Sequence, residues 1–368
     1  MHDWMLKLLT FLPSWGVVFL LGLFMPRLVR EDILFGVRIP QDRLKSPSAA
    51  GLRGLYTRCY LAFSIPVSVF MAWHIFDTEN IFWFSLGFFF LLLGQGVLYI
   101  WIHKKARRLK ESEKWLEGKI QSTVVETSFR KNAGPVSGWW YLIPLVIVFA
   151  NMAFSIWNYA SLGSMLPVHF NAAGEADRWV DKSFLNVFLL CLTQIVLTAM
   201  MFFVHCIIGA SKQELNPADP EASVARVIRF RRTWSVYLLF LNIFLLLLTS
   251  YFHWKALGFI RTSSSLSIGL TTAWMVLLFG SLLYLVFALG QGGSRLRIGS
   301  GADTGRVNRD DDRFWKWGMF YYNPDDPAMF VEKRFGIGWT NNFANPKANL
   351  MLVFLILAIV ALTLIVPK

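Results

Sequence analysis

Residues whose side chains could take part in chemistry are concentrated in one short stretch, residues 166–179 (LPVHFNAAGEADRW), which lies between two long apolar runs. His169 can bind a proton or a metal ion, and Glu175 and Asp177 add two carboxylates close to it in the chain. Such a group could bind a metal ion, another cation, a peptide or a component of the cell envelope. It could equally belong to a hairpin that only closes two helices.

The same stretch has the residue types of a tight turn. Asn171 and Gly174 tolerate a positive φ, so residues 171–174 are predicted to reverse the chain between an arm with His169 and an arm with Trp179. Trp179 carries the amphipathic ring that prefers the headgroup level of a membrane. The sequence therefore predicts an exposed hairpin at a membrane surface.

The elements around this hairpin are long and apolar. Of the 368 residues, 55% are hydrophobic and only 16% are charged, whereas about 25% are charged in an ordinary soluble domain. The apolar residues gather in runs close to the roughly 20 residues with which a helix crosses a bilayer. These runs are residues 4–25, 59–76, 81–102, 139–160, 184–208, 234–254, 266–290 and 350–366. We therefore expect an all-α integral membrane protein with about eight transmembrane helices. The partner of these helices is the lipid bilayer.

The basic residues behind the net charge of +13 are concentrated in every second connection between the apolar runs. Four connections, residues 26–58, 103–138, 209–233 and 291–349, hold 30 of the 36 Lys and Arg residues. The positive-inside rule places these connections in the cytoplasm, and both termini and the stretch 166–179 on the external side of the membrane. Because membrane topology accounts for the basic residues, we expect no nucleic-acid partner.

The longest cytoplasmic connection, residues 291–349, is rich in aromatic residues. Residues 323–327 (NPDDP) are a turn signal between two strand-like runs, 315–322 and 328–339, so we expect a small β-hairpin-like insert against the membrane face. Its surface could bind a cytoplasmic regulator protein. The candidate partner-binding residues are Trp315, Trp317, Asp325, Asp326 and Trp339.

These patterns divide the chain into five regions. They are a three-span region with a cytoplasmic elbow (1–138), a two-span module with the external hairpin (139–208), a linker with two spans (209–290), the cytoplasmic aromatic insert (291–349) and the final helix (350–368).

Motifs for catalysis are missing from the sequence. It contains no GxxxxGK[ST], HExxH or GxSxG pattern, and Cys59, Cys191 and Cys206 lack the paired spacing of a zinc or redox site. We therefore expect a non-enzymatic protein with no cofactor and no bound metal. A metal-dependent membrane enzyme remains an alternative, with His169 and Asp177, or the acids at 310–312 with those at 325 and 326, as its residues.

The predicted spans contain uncharged polar residues but no Asp or Glu apart from Asp3 at the extreme edge. Buried acids are usual in ion-coupled transporters, so their absence disfavours that class. Asn151, Gln194, Asn242 and Gln95 are expected to form hydrogen bonds between helices. As an alternative, they could line the path of a transporter or lipid-handling protein.

Two segments carry a family resemblance. The pattern PxHFNxxGxxDxW at 167–179 resembles the signature of an uncharacterised bacterial module found in SdpI-type immunity proteins, and the likeness covers roughly residues 139–208. The segment 310–346, with FWKWGMFYYNPDDP and RFGIGWTNNFANP, resembles a second uncharacterised domain of Gram-positive membrane proteins. The resemblance carries over as ligand-binding residues Pro167, His169, Asn171, Gly174, Asp177 and Trp179.

SdpI-type proteins protect a cell from a secreted toxic peptide, and one of them also sequesters a repressor at the membrane. This chain departs from them because eight spans and an aromatic insert replace the six-helix plan. Immunity is therefore not carried over. Our leading hypothesis is a non-enzymatic protein of the bacterial plasma membrane that senses an extracellular peptide or envelope stress, or protects against it, with its outer loop meeting the ligand and its cytoplasmic surface meeting a partner.

Overall fold

The computed structural model describes residues 3–76, 81–124, 134–170, 176–299 and 306–365. Within these ranges the chain forms eight α-helices and ten short strands. The helices are α1 (Asp3–Leu28), α2 (Pro47–Phe76), α3 (Ile81–Ser112), α4 (Leu142–Asn158), α5 (Phe184–Ala210), α6 (Pro220–Ala256), α7 (Ser264–Leu289) and α8 (Pro346–Ile365). The prediction of an all-α multi-pass membrane protein is confirmed.

Length and composition explain why these segments are membrane helices. In the described part of the chain, each of the seven helical regions around α1 to α7 is long enough and apolar enough to cross a membrane. α8 is a shorter apolar helix. Large apolar side chains point outward along them, for example Phe89 in α3 and Val146 in α4, which are 58% and 65% exposed. Such surfaces are stable in lipid and not in water.

Three helices are at least ten residues longer than their predicted spans. α3 ends at Ser112, and α2 and α6 begin at Pro47 and Pro220, so basic segments of the connections continue directly into these membrane helices. Asp219 caps α6 by accepting a hydrogen bond from the backbone N–H of Ala222, and Pro220 occupies the first turn, where its missing N–H costs nothing.

The helices pack as two groups joined by α7. In the first group α2 packs against α1 and α3, and in the second α4, α5 and α6 pack together. α7 contacts both α1 and α6. The strands at 165–181 contact the C-terminal end of α6 through Phe170 and Lys255, which defines a hairpin end of the bundle. Residues of the four basic connections contact one another near the N-terminal part of α6, which defines the opposite end.

A seam of hydrogen bonds joins α4, α5 and α6 inside the bundle. The side-chain amide of Asn151 donates to Gln194 Oε1 at 3.0 Å and to Ser250 Oγ at 2.6 Å, and Ser155 Oγ lies 2.7 Å from Nε2 of His253. These side chains are buried. Asn151 and Gln194, considered above as lining a transport path, are thus engaged in interhelical hydrogen bonds.

The strands form five two-stranded sheets within the described residues. They are β1 (Ile33–Leu34) with β2 (Val37–Arg38), β3 (Ile120–Ser122) with β6 (Arg306–Asn308), β4 (Met165–Phe170) with β5 (Ala176–Asp181), β7 (Trp315–Lys316) with β8 (Phe320–Tyr321), and β9 (Phe330–Glu332) with β10 (Trp339–Asn341). All pairs are antiparallel except β3 with β6.

The aromatic insert differs from the predicted single hairpin. Its two strand-like runs do not pair with each other; each side of the NPDDP turn forms a hairpin of its own, β7–β8 and β9–β10. The turn is held from inside by Asn342, whose amide donates to the carbonyls of Asn323 and Asp326. Because the aspartate and asparagine side chains bind the local backbone, residues 323–327 join two hairpins and do not close one.

Two glycine turns fix the insert against the first group of helices. Gly36 and Gly318 have φ of +78° and +72°, and a Cβ on Gly36 would lie 2.6 Å from Cα of Gly318. A Cβ on Gly318 would lie 2.5 Å from Nδ1 of His103, which donates to the carbonyl of Phe35 at 2.7 Å. Only glycine permits both the backbone conformation and the close approach.

Candidate functional site

The hairpin predicted from residues 166–179 is present. β4 and β5 pair antiparallel, with Pro167 opposite Trp179 and Phe170 opposite Ala176. The register shifts on both sides of His169, so the strand bulges at this residue. A bulge redirects the side chain that it carries, and bulges are common at binding sites.

The bulge brings together the histidine and the carboxylate that the sequence analysis selected. Nδ1 of His169 lies 2.5 Å from Oδ1 of Asp177, and the two side chains are 53% and 42% exposed. The carboxylate orients the imidazole, and its Nε2 has no hydrogen-bond partner among the described residues. The pair is therefore an accessible polar site.

The other predicted ligand-binding residues surround this pair or lie beyond the described structure. Pro167 is half-buried and Trp179 is 51% exposed on the neighbouring strand. Asn171 and Gly174 lie outside the described residues, as does Glu175.

The hairpin is attached to the helices at its base. Leu166 is buried with Leu162, Val187 and Leu257, which come from the segments around α4, α5 and α6. Lys182 closes the base, because its backbone N–H donates to the carbonyl of Ser164 at 2.7 Å. Movement of the hairpin would therefore displace residues at the ends of three helices, α4, α5 and α6.

One contact reaches the hairpin strand directly from a membrane helix. Nζ of Lys255, in the last turn of α6, lies 4.7 Å from the ring centroid of Phe170 in β4. The same ammonium donates to Ser267 Oγ of α7 at 2.8 Å. Lys255 thus connects the hairpin to both α6 and α7.

The opposite end of the bundle contains a group of buried and half-buried charges that we call the ion-pair network. Its members come from the ends of α1 and α3, from the connections before α6 and after α7, and from the aromatic insert. They are Arg30, Asp32, Arg38, Lys110, Glu214, Asp310, Asp311, Asp312, Glu332 and Arg334.

Arg38 is the centre of the ion-pair network. Its guanidinium contacts Asp32 at 2.5 Å, Asp311 at 2.8 Å and the carboxylate of Glu214. These partners lie in three separate segments of the chain, and only 4% of the Arg38 side chain is exposed. A guanidinium suits this position because it offers five donors in one plane.

Arg334 and Lys110 hold the acids of the insert. Arg334 contacts Asp311 and, at 2.5 Å, Asp312, and Lys110 Nζ lies 2.6 Å from Asp312 and 2.8 Å from Asp310. Arg30 completes the arrangement through Asp32 at 3.1 Å and Glu332 at 3.3 Å. The acids at 310–312 are therefore neutralised by cations of the chain.

The charges determine how these acids titrate. Burial by itself would raise the pKa of Asp32, but Arg30 and Arg38 outweigh it and hold the pKa below its usual range. The pKa of Asp311 is lowered in the same way against burial by Arg334 and Arg38. Glu332 behaves oppositely, since burial dominates and raises its pKa despite the nearby Arg30 and Arg231.

The sequence analysis missed the ion-pair network. Charged residues embedded in short apolar segments, such as Asp32 and Arg38 on either side of ILFGV, were the available signal. Lys and Arg were taken only as markers of topology, and no local pattern specifies which acid a given cation meets.

The predicted partner-binding residues have different environments. Trp315 is buried under Arg334, whose Cζ lies 4.9 Å from the ring centroid, and Asp326 pairs with Lys212 at 2.6 Å. Trp317 is 57% exposed and Asp325 is exposed, so both remain accessible. Trp339 lines an apolar cavity between the helices.

Among the described residues, no three His, Cys, Asp or Glu side chains are grouped so that they could hold a metal ion. The His169–Asp177 pair offers two such groups, and the acids at 310–312 already have cationic partners.

Comparison with known proteins gives two short matches. Residues 146–195 match a domain of unknown function (DUF1648), and residues 324–348 match a family of unknown function (DUF5808). No model specific for SdpI proteins matches, and neither a curated protein nor a solved structure does. The first match spans α4, the hairpin and the start of α5, and the second spans β9, β10 and the start of α8. The chain is a multi-pass membrane protein that contains these two regions of unknown function.

Proposed function

We propose that the protein is a non-enzymatic membrane sensor, in which a ligand on the β4–β5 hairpin changes the position of α6 and thereby the ion-pair network at the opposite end. The hairpin is taken to face the exterior, as the distribution of basic residues predicts. The ligand class that we propose is a cationic peptide, or an envelope component that carries amino groups.

The observation that carries the proposal is that α6 contacts both ends. At the hairpin end Lys255 lies against Phe170, and Leu257, directly after α6, is buried with Leu166. At the opposite end Arg231 donates to the carbonyls of Ser211 and Lys212, which lead into the segment that carries Glu214. One continuous helix of 37 residues thus joins the candidate ligand site to the ion-pair network.

The ion-pair network is suited to report such a shift. Glu214 lies in the segment between α5 and α6 and pairs with Arg38, which also binds Asp311 of the insert. Ion pairs between buried groups depend strongly on distance, so a small displacement of this segment would alter the insert. A ligand drives the change only by its difference in affinity for the two arrangements.

The charge of the hairpin supports a cationic ligand. Residues 166–179 contain two carboxylates, Glu175 and Asp177, and one cationic side chain, Arg178. Opposite charge increases the rate of encounter and adds charge-assisted hydrogen bonds at the site. The exposed edge of His169 adds a ring nitrogen that can form a hydrogen bond with the ligand.

The experiment compares bacteria that lack the protein with cells that carry the wild type, His169→Ala or Asp177→Asn. A synthetic cationic amphipathic helical peptide is the probe, and survival is measured over a range of concentrations. We expect resistance to fall in the deletion strain and in both variants. Asp181→Asn is the matched control, because its exposed carboxylate lies on the same hairpin outside the His169–Asp177 pair.

A measurement on purified protein tests the transmembrane step. In lipid nanodiscs, the peptide should change amide hydrogen exchange in residues 306–345 of the wild type and not of His169→Ala. Equal survival of all the strains, or exchange that is unaffected by the peptide in the wild type, would argue against a sensor of this ligand class.

A further inference from the structure

An apolar cavity of about 400 Å³ lies between the helices close to the opposite end of the bundle. This volume is within the range of ligand pockets, about 300–1,000 Å³. Its walls come from α1, α5, α6 and α7, and residues 336–339 of the insert cover it. Lining residues include Met25, Ile207, Leu238, Val286 and the tryptophans Trp234 and Trp339.

The two tryptophans add a polar feature to this apolar wall. The indole nitrogens of Trp234 and Trp339 are buried, and neither has a hydrogen-bond partner in the part of the chain that the structure describes. An indole N–H is a donor only, and a buried one usually meets an acceptor. Both nitrogens lie within the cavity wall and lack an acceptor among the described residues, so a turn of either ring would present its donor to a ligand oxygen.

Two arginines lie beside the cavity, next to its lining. Phe24 and Phe287, the neighbours of the lining residues Met25 and Val286, pack edge to face with centroids 5.3 Å apart. The guanidinium of Arg27 lies 5.9 Å from the first ring and that of Arg295 lies 5.9 Å from the second. Both arginines are exposed, and no carboxylate within the described ranges forms a salt bridge with either.

From this combination we infer that the cavity binds an anionic phospholipid. One acyl chain fills the apolar volume, ester oxygens accept hydrogen bonds from Trp234 and Trp339, and the phosphate lies near Arg27 and Arg295. Cations near a membrane surface attract anionic headgroups, and tryptophan favours the same depth, where ester groups are found.

Residues 336–339, which cover the cavity, are fixed by hydrogen bonds to the segment after α7. Gln291 donates from Nε2 to the carbonyl of Gly338 at 3.0 Å and accepts from the N–H of Gly338 at 2.7 Å. Trp339 follows directly and packs on Phe230 with ring centroids 5.6 Å apart. Lipid binding would therefore stabilise the aromatic insert against α6.

Native mass spectrometry of the purified full-length protein tests the inference. Dioleoyl phosphatidylglycerol and dioleoyl phosphatidylcholine are added at equal concentrations, and oleate alone in a separate sample. We expect one phosphatidylglycerol to be retained by the wild type and lost from Leu238→Trp, which fills the cavity. Leu247→Trp is the control, because it makes the same change on α6 at a side chain that is 48% exposed and outside the cavity lining.

A second variant keeps the test decisive if Leu238→Trp does not fold. Trp234→Phe with Trp339→Phe removes both donors and keeps the rings, and affinity should fall about fivefold for each hydrogen bond lost. Trp139→Phe, at an indole that is 78% exposed, is the control. Arg27→Gln with Arg295→Gln should remove the preference for phosphatidylglycerol over phosphatidylcholine.

Each possible result decides the inference. Equal phosphatidylglycerol retention in the wild type, Leu238→Trp and the double Trp→Phe variant would overturn it. Retention of oleate in place of the phospholipid, or a headgroup preference that the arginine variant leaves unchanged, would overturn the assignment to an anionic phospholipid.

Discussion

Lys255 of α6 and Phe170 of the β4–β5 hairpin form a cation–π contact, with Nζ 4.7 Å from the ring centroid. It joins the end of a membrane helix to the strand that carries His169. Replacement of Lys255 by Met should weaken this attachment by about 0.5–1 kcal/mol, the usual value of a partly exposed cation–π contact. The expected result is faster hydrogen exchange of the amides in β4 and β5 and at the start of α7, where Lys255 donates to Ser267, with little change in the rest of the bundle.

Arg261→Met serves as control for this variant. Arg261 is an exposed cation of the connection that follows α6. Its removal should leave exchange in the hairpin unchanged. If both variants behaved alike, Lys255 would not be the attachment that the structure indicates.

The ion-pair network predicts a large loss of stability on removal of its central cation. Arg38→Met leaves the buried Asp32 and the half-buried Glu214 and Asp311 with one partner fewer each. Breaking a buried ion pair from one side costs about 3–5 kcal/mol. We expect a marked fall in the thermal unfolding temperature of the protein in nanodiscs.

An exposed ion pair provides the contrast. Arg107 and Glu111 pair along α3 at 3.3 Å with side chains that are 60% and 65% exposed. Because solvent screens such pairs, Arg107→Met should change the free energy of unfolding by less than about 0.5 kcal/mol. Similar losses for Arg38→Met and Arg107→Met would contradict the burial of the ion-pair network.

The lowered pKa values of Asp32 and Asp311 predict acid sensitivity at the opposite end of the bundle. A carboxyl whose pKa is lower in the folded protein than in the unfolded chain contributes stability above the unfolded value, here 3.8. This contribution is lost as the pH falls below that value towards the folded pKa. The contribution of these two groups to the thermal unfolding temperature should therefore be constant between pH 7 and about pH 5. Below pH 4 the unfolding temperature should fall.

The raised pKa of Glu332 predicts a pH dependence of stability with the opposite sign. Its pKa is raised above the unfolded value of 4.5, so its contribution is present at low pH and is lost as the pH rises through the folded pKa. Glu332→Gln keeps an acceptor for Arg30 and removes the ionisation. The variant should gain stability relative to the wild type at pH 8 and not at pH 4.5, and an equal difference at both pH values would refute this.

The sides of the membrane are predicted by the basic connections and can be tested directly. In a chain with Cys59, Cys191 and Cys206 replaced by Ala, the substitution Ala173→Cys introduces a single thiol at a position between β4 and β5 in the sequence. An impermeant thiol reagent should label it in intact cells. Labelling in broken cells alone would place the hairpin in the cytoplasm and remove the basis for an external ligand.

Local patterns predicted the helices and the existence of the hairpin. Apolar runs of membrane length can be recognised without knowledge of their neighbours, and the types of residues in 166–179 specify a chain reversal. The same patterns failed at the aromatic insert, where strand-like runs and a strong turn at 323–327 indicated one hairpin. Pairing there is decided by contacts such as that of Asn342 with Asn323, which a turn signal does not contain.

The sequence by itself determined that this chain is a multi-pass membrane protein with a polar hairpin between two of its helices, because the hydrophobic effect and turn chemistry act on neighbouring residues. Only the tertiary structure decided that Arg30 meets Glu332, 302 positions away, that Arg38 joins three segments, and that Trp234 and Trp339 line one cavity. The physical reason is that a buried charge or donor must find its partner in space, and helix packing brings together segments that no sequence spacing relates.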